Sequence, residues 1–397
     1  MEDTTHGETA GGHPLSPFHG CEESVVLRLQ GEMIRGGTSK CWIFDHRDVA
    51  ATGVDVDALL LAAFNAADPR QIDGVGGASS TTSKAAVVQA SNQPGVDVEY
   101  AFAQVGIGDE RVEWASNCGN CATAVALYAV HHDLVPMTSD TTTVRMLNVN
   151  TGARLTGTIP TPTGVAPEEG TAVVPGTSAR GVPVLLGFQD PAGSTTGRAL
   201  PTGRALDELT GPDGPVEASL VDAGAPAALF EAKAFGLDGT ESLTAFATAV
   251  PALTLLRRQA ALAMGLAREG DPVSHAVPKV GIVARPAAYR TTQGTLVEQD
   301  EYDLAVRMVS MHAPHPAIGL TSAVALATAA ATPGTLAHRV ARQTADGTLR
   351  LGTPAGVVTT RAVPAPGGAS PTVLLHRAAR RIARAELLVP VLEGRPA

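Results

Sequence analysis

Residues 82–88 read TSKAAVV, in which Lys84 opens a short apolar run after a Gly-rich loop at residues 73–80. A run of small and β-branched residues of this length is typical of a buried strand. Cys118 follows 34 residues later, directly before an apolar helix that begins CATAVALYAV. A lysine that opens a strand, followed by a polar helix start, is the unit from which we predict the fold.

The second half of the chain repeats this unit. Residues 277–283 read VPKVGIV, and Lys279 opens this run as Lys84 opens the first. His315 follows 36 residues later, before an Ala-rich helix. The repeat predicts duplicated halves that face each other across a cleft.

The predicted fold class is α/β (α+β), with two domains, because 397 residues exceed one ordinary core. A loop-like stretch at residues 176–204 places the boundary near residue 185. We therefore expect an N-terminal domain over residues 23–185 and a C-terminal domain over residues 186–397. Residues 1–22, which are polar and rich in Gly and Pro, are expected to be a disordered tail.

The composition excludes several kinds of partner. A net charge of −10 argues against nucleic acid, because binding phosphates requires a basic face. There is no signal-peptide pattern and no run of 18 apolar residues, so no membrane partner is expected. The four cysteines, Cys21, Cys41, Cys118 and Cys121, all lie in the first third. That distribution is a poor disulfide framework and favours a reducing cytoplasm.

The polar residues before the first helix predict an anion site. A helix N-terminus has unpaired N–H groups and a partial positive charge. Two such termini in one cleft would hold two carboxylates of one small molecule. The loop RGGTSK could add further cations and hydroxyls, although each cluster taken alone also fits an ordinary turn. The residues concerned are Asn117, Gly119, Asn120, Arg35, Gly37, Thr38, Ser39 and Lys40.

Lys84 is a candidate general base. A free lysine has a pKa of about 10.4, so it is almost wholly charged at neutral pH. Burial beside other cations lowers the pKa and provides a usable base. Near Arg35 and Lys40, Lys84 could remove a proton from a carbon next to a carboxylate. The alternative is a surface lysine at a strand end.

The remaining motifs either leave several chemical roles open or lack a residue that the corresponding site requires. The helix start should lower the pKa of the Cys118 thiol, which could be an acid, a base, a nucleophile or a small buried residue. Cys118 and Cys121 form a CxxC, but zinc needs two more soft ligands at suitable spacing. His312 and His315 lack the glutamate of HExxH, and no nucleotide-binding glycine motif is present. His315 is better interpreted as a ligand-facing donor or proton carrier.

The chain resembles the PrpF family through several motifs in order. These are MIRGGTSK, TTSKAAVV, NCGN, LPTG, VDAGAPAALFEAKAFGLDGTE, PKVGIV, SMHAPHPAIGLTSAVALA, PAGVV and HRAARR, which lie between residues 25 and 390. The resemblance implies a diaminopimelate-epimerase-like fold, in which each of two similar domains is a curled sheet around a central helix. It also implies isomerisation of a small unsaturated polycarboxylate, with no metal and no cofactor.

The resemblance also implies roles for individual residues. Lys84 matches the catalytic base, and Cys118 is the neighbouring cysteine. The remaining candidates match substrate-binding positions of the family. Lys279 matches the second lysine of the family and is placed in the pocket without a further role. These candidates are Arg35, Gly37, Thr38, Ser39, Lys40, Ser83, Asn117, Gly119, Asn120, Lys279, Ser310, Met311 and His315.

Four departures from the family pattern leave the substrate open. Cys121 replaces a methionine, Cys41 and Trp42 replace small residues, Ala225 replaces an asparagine, and residues 353–356 read TPAG instead of HPSG. A negative observation separates the chain from racemases of the same fold, which use one cysteine from each domain. Because no cysteine follows Cys121, two-thiol racemisation is excluded, and one lysine base suits an allylic 1,3-shift or a keto–enol tautomerisation.

We therefore expect a cytoplasmic isomerase of an aconitate-like acid such as 2-methylaconitate. The alternatives are a tautomerase of an oxalomesaconate-like or natural-product intermediate, a non-catalytic partner of an aconitase-like dehydratase, and a pure binding protein. The expected partner is a small polycarboxylate, and the sequence leaves the oligomeric state open, a homodimer being one option.

Overall fold

The computed structural model describes residues 24–114, 118–212, 214–271, 277–364 and 371–392. The predicted tail, residues 1–22, lies outside the described residues. In the described first half, the strands are β1 Ser24–Gly36, β2 Ser39–Asp45, β3 Lys84–Ala90, β4 Val98–Val105, β5 Val112–Glu113, β6 Thr141–Asn148, β7 Arg154–Pro160 and β8 Val182–Gln189. The helices are α1 His46–Ala51, α2 Val56–Phe64 and α3 Gly119–His131, with a short 3-10 turn at Pro162–Gly164.

The second half repeats the main strands and the central helix of the first half and adds further short elements. Its strands are β9 Asp207–Gly211, β10 Gly214–Ala223, β11 Ala225–Glu231, β12 Lys279–Ala284, β13 Tyr289–Arg290, β14 Leu296–Val297, β15 Leu304–Ser310, β16 Ala313–Pro314, β17 Thr348–Thr353, β18 Gly356–Val363 and β19 Thr372–Leu392. Its helices are α4 Leu243–Phe246, α5 Val250–Ala263, α6 Leu320–Ala331 and α7 Leu336–Val340, with 3-10 turns at Ala232–Phe235 and Ala247–Ala249.

Strand pairing closes the first half into a barrel. The ring runs β1, β2, β3, β4, β6, β7, β8 and β19, and β19 returns to β1. The second half forms a curled row of β9, β10, β11, β12, β15, β17, β18 and β19. Parallel pairs occur at equivalent places, β2–β3 and β4–β6 in the first half and β11–β12 and β15–β17 in the second.

Each half encloses one central helix. Helix α3 contacts all eight strands of the closed ring, and α6 contacts β10, β11, β17 and β18. Both helices are rich in alanine and buried around almost their whole circumference, as expected of a helix that is apolar on every side. Helices α2 and α5 cover the outer faces of the two sheets and form separate cores there. This arrangement confirms the predicted two-part α/β fold.

The last strand connects the halves in a way that the predicted boundary does not describe. Strand β19 pairs with β18 through residues 372–375, with β8 through residues 373–379 and with β1 through residues 379–392. The C-terminal strand therefore completes the barrel of the first half. A boundary at residue 185 would also fall inside β8, so that division of the chain stays a prediction. Within the described residues, no helix is both long and apolar enough to cross a membrane.

Candidate active site

The strand start at Lys84 positions its side chain at the end of the first barrel. Alternation along β3 puts Lys84 on the same face as Ala86 and Val88, which belong to the core around α3. Lys84 Nζ donates to Gln104 Oε1 at 2.5 Å and lies 4.9 Å from the centre of the Phe102 ring. The side chain is 9% exposed. Lys84 is therefore a buried cleft residue and not a solvent-facing lysine.

The second half contributes Lys279 and His315 to the same place. The charges of Lys279 and Lys84 both act on His315, so the three groups belong to one electrostatic site. Burial, followed by Lys279 and Lys84, lowers the pKa of His315 to about 4. His315 Nδ1 accepts a hydrogen bond from the Ala317 N–H at 3.0 Å, so the neutral ring carries its proton on Nε2. His315 is a neutral hydrogen-bond donor at physiological pH.

Lys279 has an acidity suited to proton transfer. Burial, followed by the charges of Lys84 and Arg257, lowers the pKa of Lys279 to about 8. A group with a pKa near the working pH can both accept and donate a proton. The Arg257 side chain is 1% exposed, and its Nη1 donates to the Met311 carbonyl at 2.8 Å. Met311, at a left-handed φ of 57°, follows Ser310 at the end of β15.

The two central helices begin at the boundary between the halves. A Cβ on Gly119, the first residue of α3, would lie 2.7 Å from Leu320 Cβ, the first residue of α6. Only glycine allows this approach. Neither helix has a side-chain cap at its start, since Cys118 makes no capping bond and Gly319 has no side chain. Both helix dipoles therefore present positive ends to one region.

The loop between β1 and β2 packs against the start of α3. Asn120 Nδ2 donates to Thr38 Oγ1 at 3.1 Å and to Ser39 Oγ at 3.3 Å. Its Oδ1 accepts from Arg377 Nη2 at 3.1 Å. Gly37 has a φ of 57°, and a Cβ there would lie 2.2 Å from Asn120 Oδ1. Glycine is required at this position for both its backbone conformation and its close contact.

Three predicted substrate-binding residues point elsewhere. The Arg35 guanidinium donates to the carbonyls of Gly37 at 3.0 Å and Arg180 at 2.9 Å. Lys40 neighbours Ser39 and Cys41, which both face the α3 side, so alternation directs Lys40 to the opposite face of β2. The buried Ser83 hydroxyl donates to the side-chain carbonyl of Gln71, which precedes the Gly-rich loop. Their roles in binding substrate stay predictions that these contacts do not support, and Asn117 lies outside the described residues.

The cysteines correct one expectation. The Cys118 thiol hydrogen-bonds Cys121, and this bond, followed by burial, raises the pKa of Cys118 well above its usual value. Burial likewise raises the pKa of Cys121, which also contacts the Cys41 thiol. The prediction that the helix start lowers the Cys118 pKa is wrong, because desolvation and a neighbouring thiol outweigh the dipole. Cys118 is a protonated thiol at neutral pH.

Sequence reasoning missed three residues of this site: Gln104, Arg257 and Arg377. Arg377 is 4% exposed, and burial, followed by Arg35, lowers its pKa to about 10. It lies in the motif HRAARR, which resembles the family pattern but gives no role to this arginine. Gln104 had a weaker signal, a polar residue near the end of an apolar strand. No feature of the sequence indicated Arg257, which lies on α5. Within the described ranges, no group of three His, Cys, Asp or Glu residues could hold a metal ion.

Solved structures with this architecture define the class of protein. A hydroxyproline epimerase from Agrobacterium vitis superposes with a TM-score of 0.52 at 10% identity, covering 91% of this chain and 92% of its own, which shows the fold alone. The crystal structure of a methylitaconate-delta-isomerase gives a TM-score of 0.78 at 32% identity, covering 92% and 96%. The chain has the diaminopimelate-epimerase-like fold.

Sequence comparison then identifies the family. Residues 26–390 match the family described as PrpF protein, and the chain belongs to it. The 3-methylitaconate isomerase of Eubacterium barkeri is 33% identical, covering 84% of this chain and 90% of the relative. The 2-methyl-aconitate isomerase of Cupriavidus necator is 34% identical (85% and 90%). The (4E)-oxalomesaconate Delta-isomerase of Novosphingobium sp. strain KA1 is 37% identical (81% and 87%). The chain is an isomerase.

Proposed function

We propose that this isomerase moves a proton within a small unsaturated di- or tricarboxylate such as 2-methylaconitate, without a metal or cofactor. The observation that carries the proposal is the position of Lys84, buried at the end of the first barrel and within electrostatic reach of Lys279 and His315. An amine there can take a proton from a carbon next to a carboxylate. The surrounding positive groups then stabilise the delocalised anion.

The substrate carboxylates would bind where the two helices begin. Both starts lack a side-chain cap, and the buried Arg377 holds the amide of Asn120 beside Thr38 and Ser39. Backbone N–H groups and hydroxyls of this kind bind an anion without adding a mobile charge. His315, neutral with its proton on Nε2, could donate to a further oxygen of the substrate. Return of the proton to a second carbon, or rotation in the delocalised anion, gives the isomer.

A second candidate is the keto–enol tautomerisation of an oxalomesaconate-like acid. The backbone of Gly176 lies against Thr38 and Ala355, one of the residues that depart from the family pattern. An adjoining cavity of about 350 Å³ is lined by residues 173–177, by alternate residues of the segment 291–297 and by residues 355–357. Ala355 stands where the family pattern has serine, so this wall lacks a hydroxyl group and the cavity is larger. The larger cavity favours a substrate with a different substituent.

The experiment is NMR of the purified protein in deuterated water with 2-methylaconitate, 3-methylitaconate and 4-oxalomesaconate in separate tubes. We expect one acid to isomerise and to take up deuterium at the carbon that gains a proton. Prior treatment with a chelator should leave the rate unchanged. Failure of all three acids to exchange or isomerise would reject the proposal.

A further inference from the structure

Arg377 is a buried cation inside the first barrel. Alternation along β19 gives it the same orientation as Val373, Leu375 and Ala379, which pack in the core around α3. Among the described residues, no aspartate or glutamate forms an ion pair with Arg377, although other arginines of the chain have such partners. Its Nε–H has no hydrogen-bond partner in the same part of the chain. A guanidinium without a counter-ion is costly to bury, so we looked for what this one contributes.

The far end of the Arg377 side chain contacts the first turn of α3. Its Nη2 donates to Asn120 Oδ1 at 3.1 Å. A side chain at Gly37 would collide with both groups, so glycine leaves the space for their contact. The Gly37 N–H in turn donates to the Ala378 carbonyl at 2.8 Å. Strand β19 therefore holds the β1–β2 loop and the start of α3 together.

Arg377 also fixes the direction of the hydrogen bonds that follow. A guanidinium has donors only, so the Asn120 amide must turn its oxygen towards Arg377 and its Nδ2 away. Nδ2 then donates to Thr38 Oγ1 at 3.1 Å and to Ser39 Oγ at 3.3 Å. Each hydroxyl accepts through its oxygen and keeps its own proton to donate. Among the residues that the structure describes, neither hydroxyl donates to a protein acceptor.

This chain of hydrogen bonds begins at a cation and ends at two hydroxyl protons. Hydrogen bonds in series polarise one another where the local dielectric constant is low, so the charge of Arg377 makes both hydroxyls better donors. The hydroxyls adjoin the start of α3, which has no side-chain cap and whose N–H groups favour an anion. A carboxylate can accept from both hydroxyls at once.

We propose that Arg377 is a positioning residue for substrate binding, which acts through the Asn120 amide to orient the two hydroxyls of the β1–β2 loop as donors to one carboxylate. The proposal rests on the proposed function and adds a residue of the last strand to its anion site. Arg377 touches neither the substrate nor the reacting carbon. Its replacement should therefore weaken binding and leave the proton-transfer step intact.

Three replacements of Arg377 separate this role from a purely structural contact between β19 and α3. Methionine has a long side chain but no donor. Glutamine can turn either its oxygen or its NH2 group towards Asn120, so the direction of the amide is lost. Lysine, like arginine, is a cation that only donates. Arg361→Met is the matched control, because Arg361 is exposed on the neighbouring strand β18.

The experiment measures binding of propane-1,2,3-tricarboxylate, a saturated analogue, by calorimetry, together with KM and kcat for the acid that the wild type isomerises. We expect Arg377→Met and Arg377→Gln to raise Kd and KM by about 10- to 100-fold, the effect of losing one or two hydrogen bonds to a charged group. Because this interaction is made equally in the ground state and the transition state, kcat should stay within about 3-fold of the wild type. Arg377→Lys should bind more tightly than Arg377→Gln.

A double variant tests whether Arg377 acts through the hydroxyls. Thr38→Val removes one hydroxyl at nearly constant shape and should raise the Kd of the wild type by about 10-fold. In the Arg377→Met background the hydroxyl is no longer oriented, so the same change should raise Kd by less than about 3-fold. A structural contact would make the two losses additive.

Three results would overturn the inference: an unchanged Kd in Arg377→Met, binding by Arg377→Gln as tight as by Arg377→Lys, or additive losses in the double variant. Circular dichroism checks folding. If no Arg377 variant folds, Thr38→Val and Thr38→Ser are compared, and equal binding by these two also rejects the role of the hydroxyls.

Calorimetry separates this inference from the proposed function, because it does not depend on turnover. A wild type that binds the tricarboxylate in an Arg377-dependent way but isomerises none of the three acids would reject the proposed function and keep the positioning role. A wild type that isomerises one of them, with a Kd that does not depend on Arg377, would do the reverse.

Discussion

The two halves have the same architecture but place their lysines in different surroundings. Lys84 has a hydrogen-bond acceptor in Gln104 and the face of Phe102, both of which stabilise an ammonium group. Lys279 is beside Arg257 and Lys84, which destabilise its charge. The duplication provided two equivalent positions, and the neighbouring side chains give Lys84 a hydrogen-bond acceptor and Lys279 two nearby cations.

The helix starts differ in the same way. Helix α3 begins after the half-buried thiol of Cys118, which contacts the buried Cys121, whereas α6 begins after Gly319, four residues beyond a neutral histidine. The start of α3 thus lies among thiols, and the start of α6 lies near an imidazole. Four changes would show how far this division of roles holds.

The largest effect is expected from Lys84→Ala. Removal of the amine should lower kcat by about 1000-fold, within the range of a general acid–base group, while the chain still folds. Lys233→Ala is a matched control, because Lys233 is exposed and pairs with Glu231 at the surface. NMR of substrate turnover measures the rate. If Lys84→Ala kept more than about a tenth of the wild-type rate, Lys84 would not be the base. The two halves would then no longer differ in their catalytic roles.

Gly119→Ala tests whether the starts of α3 and α6 pack too closely to accept a larger side chain. The added methyl would lie 2.7 Å from Leu320 Cβ and 3.0 Å from Phe188 Cζ. Overpacking of this kind costs about 1–3 kcal/mol, so thermal unfolding should shift to lower temperature. Leu320→Gly in the same chain restores space. The double variant should therefore be less destabilised than the two single variants together, and simple additivity would show that the helices do not constrain each other.

Gln104→Leu tests the stabilisation of the Lys84 cation. Leucine removes the acceptor at 2.5 Å and leaves the Ser83 carbonyl without its bond from Gln104 Nε2. A hydrogen bond to a charged group contributes about 1.5–3 kcal/mol, so we expect kcat/KM to fall by about 10-fold or more. Gln104→Glu keeps an acceptor beside Lys84 and should therefore retain more of the wild-type kcat/KM than Gln104→Leu. If Gln104→Glu lost as much activity as Gln104→Leu, the hydrogen bond to Lys84 would not account for the effect.

The sequence predicted the fold well because its evidence is local and repeated. Strand β3 with Lys84 and strand β12 with Lys279 can be read from short apolar runs, and so can the two alanine-rich helices. Gln104 could not be assigned, since its place opposite Lys84 depends on the register of β3 and β4. Arg377 belongs to β19, which is far along the chain but pairs with the first barrel. The Cys118 pKa was predicted with the wrong sign because local sequence contains no measure of desolvation.

The smallest effect is expected from Cys118→Ala. A raised pKa favours the protonated thiol, which is a weaker base and nucleophile than the thiolate. Its removal should lower kcat/KM by only a few-fold, through lost packing beside Cys121, and alkylation of the native thiol should be slow below about pH 9. Cys118→Ser keeps a donor of similar size and controls for packing. If both variants lost as much activity as Lys84→Ala, Cys118 would be the acid that returns the proton, and the first half would contain both proton-transfer groups.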